Sequence, residues 1–482
     1  MKKLIAILLL LALTLTLCAC GKEKDDKGAA KNPLDGIYSL GYARVKVTPD
    51  YSVPLAGYGN TQNRMSNGSL SYLYTTCIAI TDKEGDTVLL FQNDQEGTYE
   101  GVMDPIRMDI SQKVGVPVEN VIVGATHTHS APDYVNSKVP STSKYCADLG
   151  AWMAQAAEEA MADRKELIDL SSGSIIVPVH TLNFTRHYTT ESGIVKGDNF
   201  GDLVDSPYTG HVRDADSELQ VIRFQRKDAD PVSILNWQTH PHRTGGGNKY
   251  DMSADLVGKM QDEYTKQTGD LTIYFTGASG NINPTSRITK ENITADFKEH
   301  GKALAAYAVE CFNNNLEKRE IGDLQIKNYT YKGTVNHTED YKVEAAKKVQ
   351  AEWTTNNNFT AAVTLANKFG INSPYHANGI VSKSMLGETY DVRICAISIG
   401  DAIGFVTAPF EMYSEQGEYI KKESPFDSTV VITMCNGHLG YIPSEEGYDN
   451  NSYGANTGKF VKGTAESLAQ TYLDLLNELH SN

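Results

Sequence analysis

The sequence predicts an α/β fold in which mixed β-sheets are flanked by helices. Short apolar segments rich in β-branched residues alternate with longer segments whose apolar residues recur at helical spacing. This alternation is typical of sheets covered by helices. Two of the apolar segments run directly into histidines, and ligands of open α/β sheets usually bind beyond the carboxyl ends of strands. We therefore expect the functional site, and a zinc ion if one is bound, at the carboxyl ends of strands.

The first 19 residues have the features of a lipoprotein signal peptide. Two lysines precede an apolar stretch over residues 4–17, which is too short to span a bilayer as a mature helix. The tetrapeptide Leu-Cys-Ala-Cys at 17–20 resembles a bacterial lipobox, which implies cleavage before Cys20 and lipidation of its thiol. An ordinary secretory peptide is the alternative. Residues 20–36 are then a flexible tether, and we expect the protein on the extracytoplasmic side of a bacterial membrane.

Charge and cysteine content narrow the classes of partner. Of the 44 basic residues only Lys2 and Lys3 lie in the leader, so the mature chain has 42 basic and 60 acidic side chains, a net charge of −18. Such a surface disfavours nucleic acid and anionic lipid headgroups. Five cysteines follow Cys20, an odd number without a CxxC pair, which argues against a dense disulfide framework. With no Pro/Ser-rich linker, residues 37–482 are predicted to form a single domain.

The elements follow from the apolar patterns in chain order. Strands are predicted at 45–54, 75–81, 88–92, from 121 onward, 233–237, 271–275, within 392–406 around a turn at 400–401, and 428–434. Helices are predicted at 105–114, 145–164, 295–316 and 463–479, with a long polar helical segment at 341–369.

The strand that begins at 121 ends in two histidines, His127 and His129. Strand residues two apart point to the same side, so both imidazoles can face one pocket. Imidazole is a common zinc ligand and carries protons near neutral pH. The pattern favours metal chemistry, with a pair of hydrogen-bonded loop histidines as the alternative.

The strand at 233–237 repeats this pattern and leads into His240, with His242 as a rival ligand two residues later. The next strand is followed by Gly-Ala-Ser-Gly-Asn at 277–281. This loop lacks the Gly-Lys-Ser/Thr ending of a phosphate-binding loop. Its glycines fit a close approach of the backbone to a substrate or a neighbouring strand better.

Two further strand-like segments are followed by oxygen-bearing side chains, Glu411 and Tyr441. Taken alone, Glu411 is typical of a helix N-terminal residue that stabilises the helix dipole. A tyrosine in a Gly/Pro turn is typical of a packing residue.

Taken together, these segments resemble the neutral/alkaline (non-lysosomal) ceramidase family. The segment Gly-Ala-Thr-His-Thr-His-Ser at 124–130 is highly specific for that family, and Tyr-Ile-Pro-Ser-Glu-Glu-Gly-Tyr at 441–448 is a second match. The matching segments run in the family's order from about residue 40 to 480, at 41–49, 53–59, 124–130, 236–241, 252–255, 277–284, 408–411 and 441–448.

The resemblance implies a zinc-dependent amidohydrolase that cleaves an N-acyl amide, with ceramide as the reference substrate in sphingolipid metabolism. It implies one zinc ion per chain and an activated water, with the ligands His127, His240, Glu411 and Tyr441. It also implies substrate contacts for His129, Arg186 and Tyr453. The alternatives are a zinc hydrolase of another amide or an ester, and a non-catalytic binding lipoprotein at the membrane surface.

The chain departs from the family pattern at three places. Asn283 stands where the family has a serine, so a serine nucleophile does not fit. His242 and Arg243 replace small or hydroxyl residues beside His240, which predicts a more polar pocket. Established ceramidases carry an immunoglobulin-like C-terminal domain, and we expect none here because the sequence ends soon after the catalytic region.

Overall fold

The structure is a computed structural model that describes residues 34–58, 64–135, 139–193, 195–197, 208–244, 249–288 and 296–481. The predicted signal peptide, the predicted lipidation site at Cys20 and most of the predicted tether lie outside the described residues. Contacts within the chain group Gly36–Asn482 into one compact unit. In the described ranges, no helix has the length and apolar character needed to cross a membrane.

The described residues form 22 strands, numbered in chain order. The first eleven are β1 (Ser39–Lys46), β2 (Gly68–Ser69), β3 (Tyr74–Thr81), β4 (Thr87–Asn93), β5 (Val121–Ala125), β6 (Lys165–Ile176), β7 (Phe184–Thr185), β8 (His187–Thr190), β9 (Lys196–Gly197), β10 (Tyr208–His211) and β11 (Glu218–Arg226). The others are β12 (Val232–Trp237), β13 (Asp251–Met252), β14 (Leu271–Thr276), β15 (Ile282–Asn283), β16 (Glu317–Arg319), β17 (Leu324–Thr334), β18 (Thr389–Ile399), β19 (Ile403–Thr407), β20 (Glu411–Met412), β21 (Ser428–Ile432) and β22 (Tyr441–Ile442).

The same ranges contain eleven α-helices. They are α1 (Glu100–Val114), α2 (Pro140–Ala162), α3 (Asp255–Thr268), α4 (Phe297–Asn314), α5 (Val343–Thr354), α6 (Phe359–Lys368), α7 (Pro374–Ser384), α8 (Ser414–Glu423), α9 (Glu445–Asp449), α10 (Tyr453–Thr457) and α11 (Thr464–His480).

Two large sheets pack face to face, and helices cover their outer faces. The first sheet has the order β14-β12-β11-β6-β1-β3-β4-β5, with β16 beside β6, and the second has the order β17-β18-β19-β21. The core between them includes Ile122, Ile273, Phe275, Ile397, Phe405 and Val430. Helices α1 to α4 pack on the outer face of the first sheet, and α8 and α11 on that of the second. The predicted fold class, mixed sheets flanked by helices, is confirmed.

Alternate residues of a central strand reach different cores. In β4, Val88 and Leu90 face the second sheet, whereas Leu89 and Phe91 pack under α1 and α2. A strand buried on both faces reads as an uninterrupted apolar segment. This explains why the sequence located β3, β4, β12 and β14 to within one residue at each end.

Hydrogen bonds between strand ends bring three carboxyl termini together. The hydroxyl of Thr276, the last residue of β14, donates to the carbonyl of Ala125, the last residue of β5, over 3.1 Å. The Ala125 N–H donates to Met434 O over 3.1 Å, and the Thr433 N–H donates to Thr276 O over 2.9 Å. The segments that follow β5, β14 and β21 therefore leave from one place, although they are far apart in sequence.

Several sequence predictions of elements need correction. The strand predicted at 45–54 is wrong, because β1 ends at Lys46 and Pro49 cannot donate to a strand ladder. The helical segment predicted at 341–369 is a short 3₁₀ turn at 340–342 followed by two helices, α5 and α6. The two helices are separate because Asn357 has a left-handed φ of 53° and Asn358 caps α6. The long strands β6, β11 and β17 were missed, since polar residues alternate through them.

Candidate metal centre and substrate site

The loop after β5 holds His127 in an unusual backbone conformation. Its φ is 66°, in the left-handed region that costs a non-glycine residue about 1–2 kcal/mol. The His127 N–H donates to Gln95 O over 2.9 Å, and its ring lies fully inside the protein. The surrounding contacts thus hold a strained residue in place, which is a common feature of functional sites.

Two backbone carbonyls determine the tautomers of His127 and His240. His127 Nδ1 lies 2.5 Å from Glu96 O, and His240 Nδ1 lies 2.8 Å from Ile282 O. A carbonyl oxygen only accepts, so both Nδ1 atoms must carry the proton. In the neutral rings each Nε2 then presents a lone pair, which is the arrangement of a metal-ligating histidine.

The carboxylate of Glu411 faces both of these lone pairs. Its Oε2 lies 3.1 Å from His240 Nε2 and 3.5 Å from His127 Nε2, and the side chain is 7% exposed. Three electron-rich atoms this close repel one another unless a cation or a proton lies among them. The donor set of two imidazoles and a carboxylate suits zinc.

The pKa values of these groups reflect the same crowding. Burial raises the pKa of Glu411, but the adjacent imidazoles of His127, His240 and His438 hold it well below its usual value. Burial and the Arg186 cation lower the pKa of His240 to about 3. Burial also lowers the pKa of His127, but Glu411 outweighs it and the net shift is upward. Glu411 is therefore an anion.

Glu411 and Tyr441 are held by a pair of short strands. They are register partners in the parallel pair β20 and β22, and Glu411 N–H donates to Gly440 O over 2.9 Å. Gly280 packs against this pair so closely that a Cβ there would collide with the Glu411 carbonyl. The close approach to a neighbouring strand that the glycines at 277–281 predicted is confirmed.

Arg186 is buried and lies next to Tyr441. Its Nη2 donates to Gly280 O over 2.5 Å, and its guanidinium carbon lies 5.4 Å from the centre of the Tyr441 ring. The Tyr453 ring lies 5.2 Å from the Tyr441 ring in an edge-to-face arrangement. Burial and the Glu411 charge raise the pKa of Tyr441 well above its usual value.

His129 joins the two other histidines more closely than the sequence indicated. His127, His129 and His240 offer ring nitrogens that all lie within 4.8 Å of one another. His129 Nε2 is 3.4 Å from His127 Nε2, and within the described residues its buried Nδ1 has no hydrogen-bond partner. The structure therefore brings together all seven predicted site residues of the fold, and His129 belongs to a group of three histidines that could hold a metal ion.

His242 and Arg243, the two unusual residues after His240, have different surroundings. The His242 ring lies 5.7 Å from that of His129, and its Nε2 is 3.2 Å from Asn283 Oδ1. The positive charge of Arg243 interacts with the carboxylates of Asp255 and Asp296. His242 and Asn283 thus border the site. Arg243, the cation expected beside His240, lies near acidic residues.

Sequence reasoning missed His438, which lies three residues before Tyr441 in the sequence. Its Nε2 is 3.6 Å from Glu411 Oε1, and its ring lies 6.3 Å from the His127 ring. A histidine in the turn after a predicted strand was the available signal.

Comparisons with known proteins bear on the fold. No protein-family model matches the sequence, and no curated protein sequence matches it. Among solved structures, neutral ceramidase from Pseudomonas aeruginosa matches with a TM-score of 0.67 and 17% identity, over 93% of this chain and 75% of that chain. A ceramidase complexed with C2 matches with a TM-score of 0.67 and 16% identity, over 93% of this chain and 76% of that one.

At 17% and 16% identity, the similarity to these two structures establishes the fold alone. The chain has the fold of neutral ceramidases, and the fold implied by the sequence resemblance is confirmed.

Proposed function

We propose that this protein is a zinc-dependent hydrolase that cleaves an N-acyl amide bond. The observation that carries the proposal is the approach of Glu411 Oε2 to the Nε2 lone pairs of His127 and His240, at 3.5 and 3.1 Å. A cation removes the repulsion among these atoms. The ceramidase fold supports the choice of reaction.

One zinc ion per chain would be held by His127, His240, Glu411 and Tyr441. When bound, zinc supplies Lewis acidity and activates water at neutral pH. Tyr441 completes the set because its register with Glu411 places both residues at adjacent positions on one face. His129 is the third imidazole within reach of the same position, and we assign it to the substrate.

The remaining residues bind and orient the substrate. Arg186 keeps one N–H on Gly280 O, and its other donors face the Tyr441 side of the site, where a carbonyl or hydroxyl can accept them. His129 offers the second donor for negative charge that develops on the amide oxygen. Tyr453 lies beside Tyr441, where its ring lines the substrate site and its hydroxyl can hydrogen-bond the substrate. A carboxamide is not a nucleophile, so we assign Asn283 to substrate binding only.

One observation favours a substrate more polar than long-chain ceramide. His242 and Asn283 form a hydrogen-bonding pair at the edge of the site. Covering these groups with hydrocarbon would cost free energy unless each kept a partner. A small amide, or an ester, is therefore the second candidate substrate class.

We also propose that the protein is anchored to the extracytoplasmic side of a bacterial membrane through Cys20. The support is the lipobox-like tetrapeptide at 17–20 and the polar tether. Several acyl chains hold a protein on a membrane far more firmly than one. Membrane fractionation of a Cys20→Ala variant tests this: release from the membrane is expected, and unchanged fractionation would contradict it.

The hydrolase proposal is tested by metal analysis together with a substrate panel. We expect about one zinc per chain and hydrolysis of at least one N-acyl amide that is lost with a chelator and restored by zinc. Zinc binding without turnover of any amide or ester would favour a binding protein. Turnover that persists in the metal-free protein would overturn the proposal.

A further inference from the structure

The proposed function leaves one buried group of the site without a task, the imidazole of His438. Its side chain is 8% exposed and lies between two carboxylates. Nε2 is 3.6 Å from Glu411 Oε1, and Nδ1 is 3.7 Å from Glu96 Oε2. In the described part of the chain, Nδ1 has no hydrogen-bond partner.

The protein is shaped to admit this ring. A Cβ on Gly97 would collide with His438 Nδ1, so the position next to Glu96 must be glycine for the ring to fit. The Tyr99 ring packs 4.8 Å from that of His438, and its hydroxyl donates to Glu96 Oε2 over 2.6 Å.

The orientation of the Glu411 carboxylate depends on the groups that face its two oxygens. Its two carboxylate oxygens face different groups, with Oε2 toward His127 and His240 and Oε1 toward His438. The last torsion of a glutamate side chain is broad and weakly restrained by its own covalent structure. An imidazole N–H that faces Oε1 from 3.6 Å attracts this oxygen and so restrains the rotation of the carboxylate, with Oε2 toward the two histidines.

Glu96 contacts both His127 and His438. Its backbone oxygen accepts from His127 Nδ1, and its side chain faces His438 Nδ1. One residue thus orients a proposed metal ligand directly and another through His438.

We propose that His438 is a positioning residue that orients the Glu411 carboxylate toward the zinc position, with Glu96 fixing the direction of the imidazole. The inference rests on the proposed zinc site. Outer partners of metal ligands typically contribute about 10–100-fold to metal affinity.

The test compares three substitutions by zinc competition against a fluorescent chelator, with the melting temperature of the metal-free proteins as a second readout. His438→Gln retains an amide donor where Nε2 faces Glu411. His438→Asn retains one only where Nδ1 faces Glu96, and His438→Ala retains neither. His337→Ala is the matched control, because His337 also contacts a carboxylate, Asp340 at 2.9 Å, but belongs to a surface turn.

We expect the zinc Kd to rise about 10–100-fold in the Ala and Asn variants and to stay close to wild type in the Gln and His337→Ala variants. Wild-type affinity in the Ala variant would overturn the inference. An equal loss in the Gln and Asn variants that follows the melting temperature of the metal-free proteins would also overturn it. If the wild-type protein itself binds no zinc, the proposed function fails. That result is distinct from the two results that would overturn the role of His438.

Discussion

Glu411 and Tyr441 stand opposite each other in the parallel strands β20 and β22, so a carboxylate and a phenol 30 positions apart in sequence leave one face side by side. Each strand has only two residues. Their register depends on the backbone of Gly280, whose N–H donates to Met412 O over 2.7 Å. The placement of these two proposed ligands therefore depends on the packing of the backbone around them.

Substitution of Gly280 by alanine tests this role of the backbone. The new Cβ would collide with the Glu411 carbonyl, so we expect a loss of about 1–3 kcal/mol of unfolding free energy together with weaker zinc binding. Urea unfolding and zinc titration measure the two effects. Gly101→Ala is the control, because a Cβ on that helical glycine meets nothing within 4 Å. Equal behaviour of the two variants would contradict the account.

Arg186 is expected to act on the substrate and not on the metal. Its guanidinium is a permanent cation and cannot ligate zinc. Arg186→Ala should keep one zinc per chain and lose about 100–1000-fold in kcat/KM. Arg186→Lys should rescue little, since an ammonium cannot serve Gly280 O and a substrate oxygen with a rigid fork. Full kcat/KM in the alanine variant, on every substrate that the wild type cleaves, would refute the role.

How far sequence alone leads to this site differs between residues. His127 and His240 follow apolar strands, and that placement was readable because strands buried on both faces are uninterrupted in sequence. Glu411 and Tyr441 could be assigned only through the family resemblance. Their meeting depends on a two-residue register that no local pattern encodes.

His438 shows a different limit. Its place between two carboxylates depends on the space left by Gly97, which is more than 300 positions away in sequence. The strands β6, β11 and β17 were missed for a related reason: polar residues interrupt each of them, and the buried positions of β6 and β11 come from packing with distant segments of the chain. Burial of this kind becomes visible only in the folded chain.

The polarity of the pocket is expected to govern substrate choice. Because His242 and Asn283 border the site, kcat/KM should fall as N-acyl substrates become longer and less polar. A matched series assayed in one detergent measures this, and His242→Ser should flatten the trend. A steady rise in kcat/KM up to long-chain ceramide would show an ordinary ceramidase pocket.

Stability at acid pH is expected to depend on Glu339. Its hydrogen bond to His376, together with Lys342, lowers its pKa from 4.5 to about 2 despite partial burial, and Lys383 lies 4.0 Å away. A carboxyl with a depressed pKa in the folded state stabilises the fold above pH 4.5, and that contribution is lost as the pH falls toward 2.

Glu339→Gln should therefore lower the melting temperature at pH 7, and its difference from wild type should shrink steadily below pH 4.5. Glu344→Gln, at a surface glutamate of the following helix, is the control and should change little. A difference that is independent of pH would show that the charge of Glu339 does not stabilise the fold.

The most direct test of the central claim is the zinc content of the purified wild-type protein and of a His127→Ala variant, measured by elemental analysis after exhaustive dialysis. His127 Nε2 faces Glu411 and His240 in the buried cluster, so its removal takes one ligand from the proposed set. We expect about one zinc per chain in the wild type, and little zinc with no hydrolysis in the variant. Stoichiometric zinc in His127→Ala would contradict the assignment.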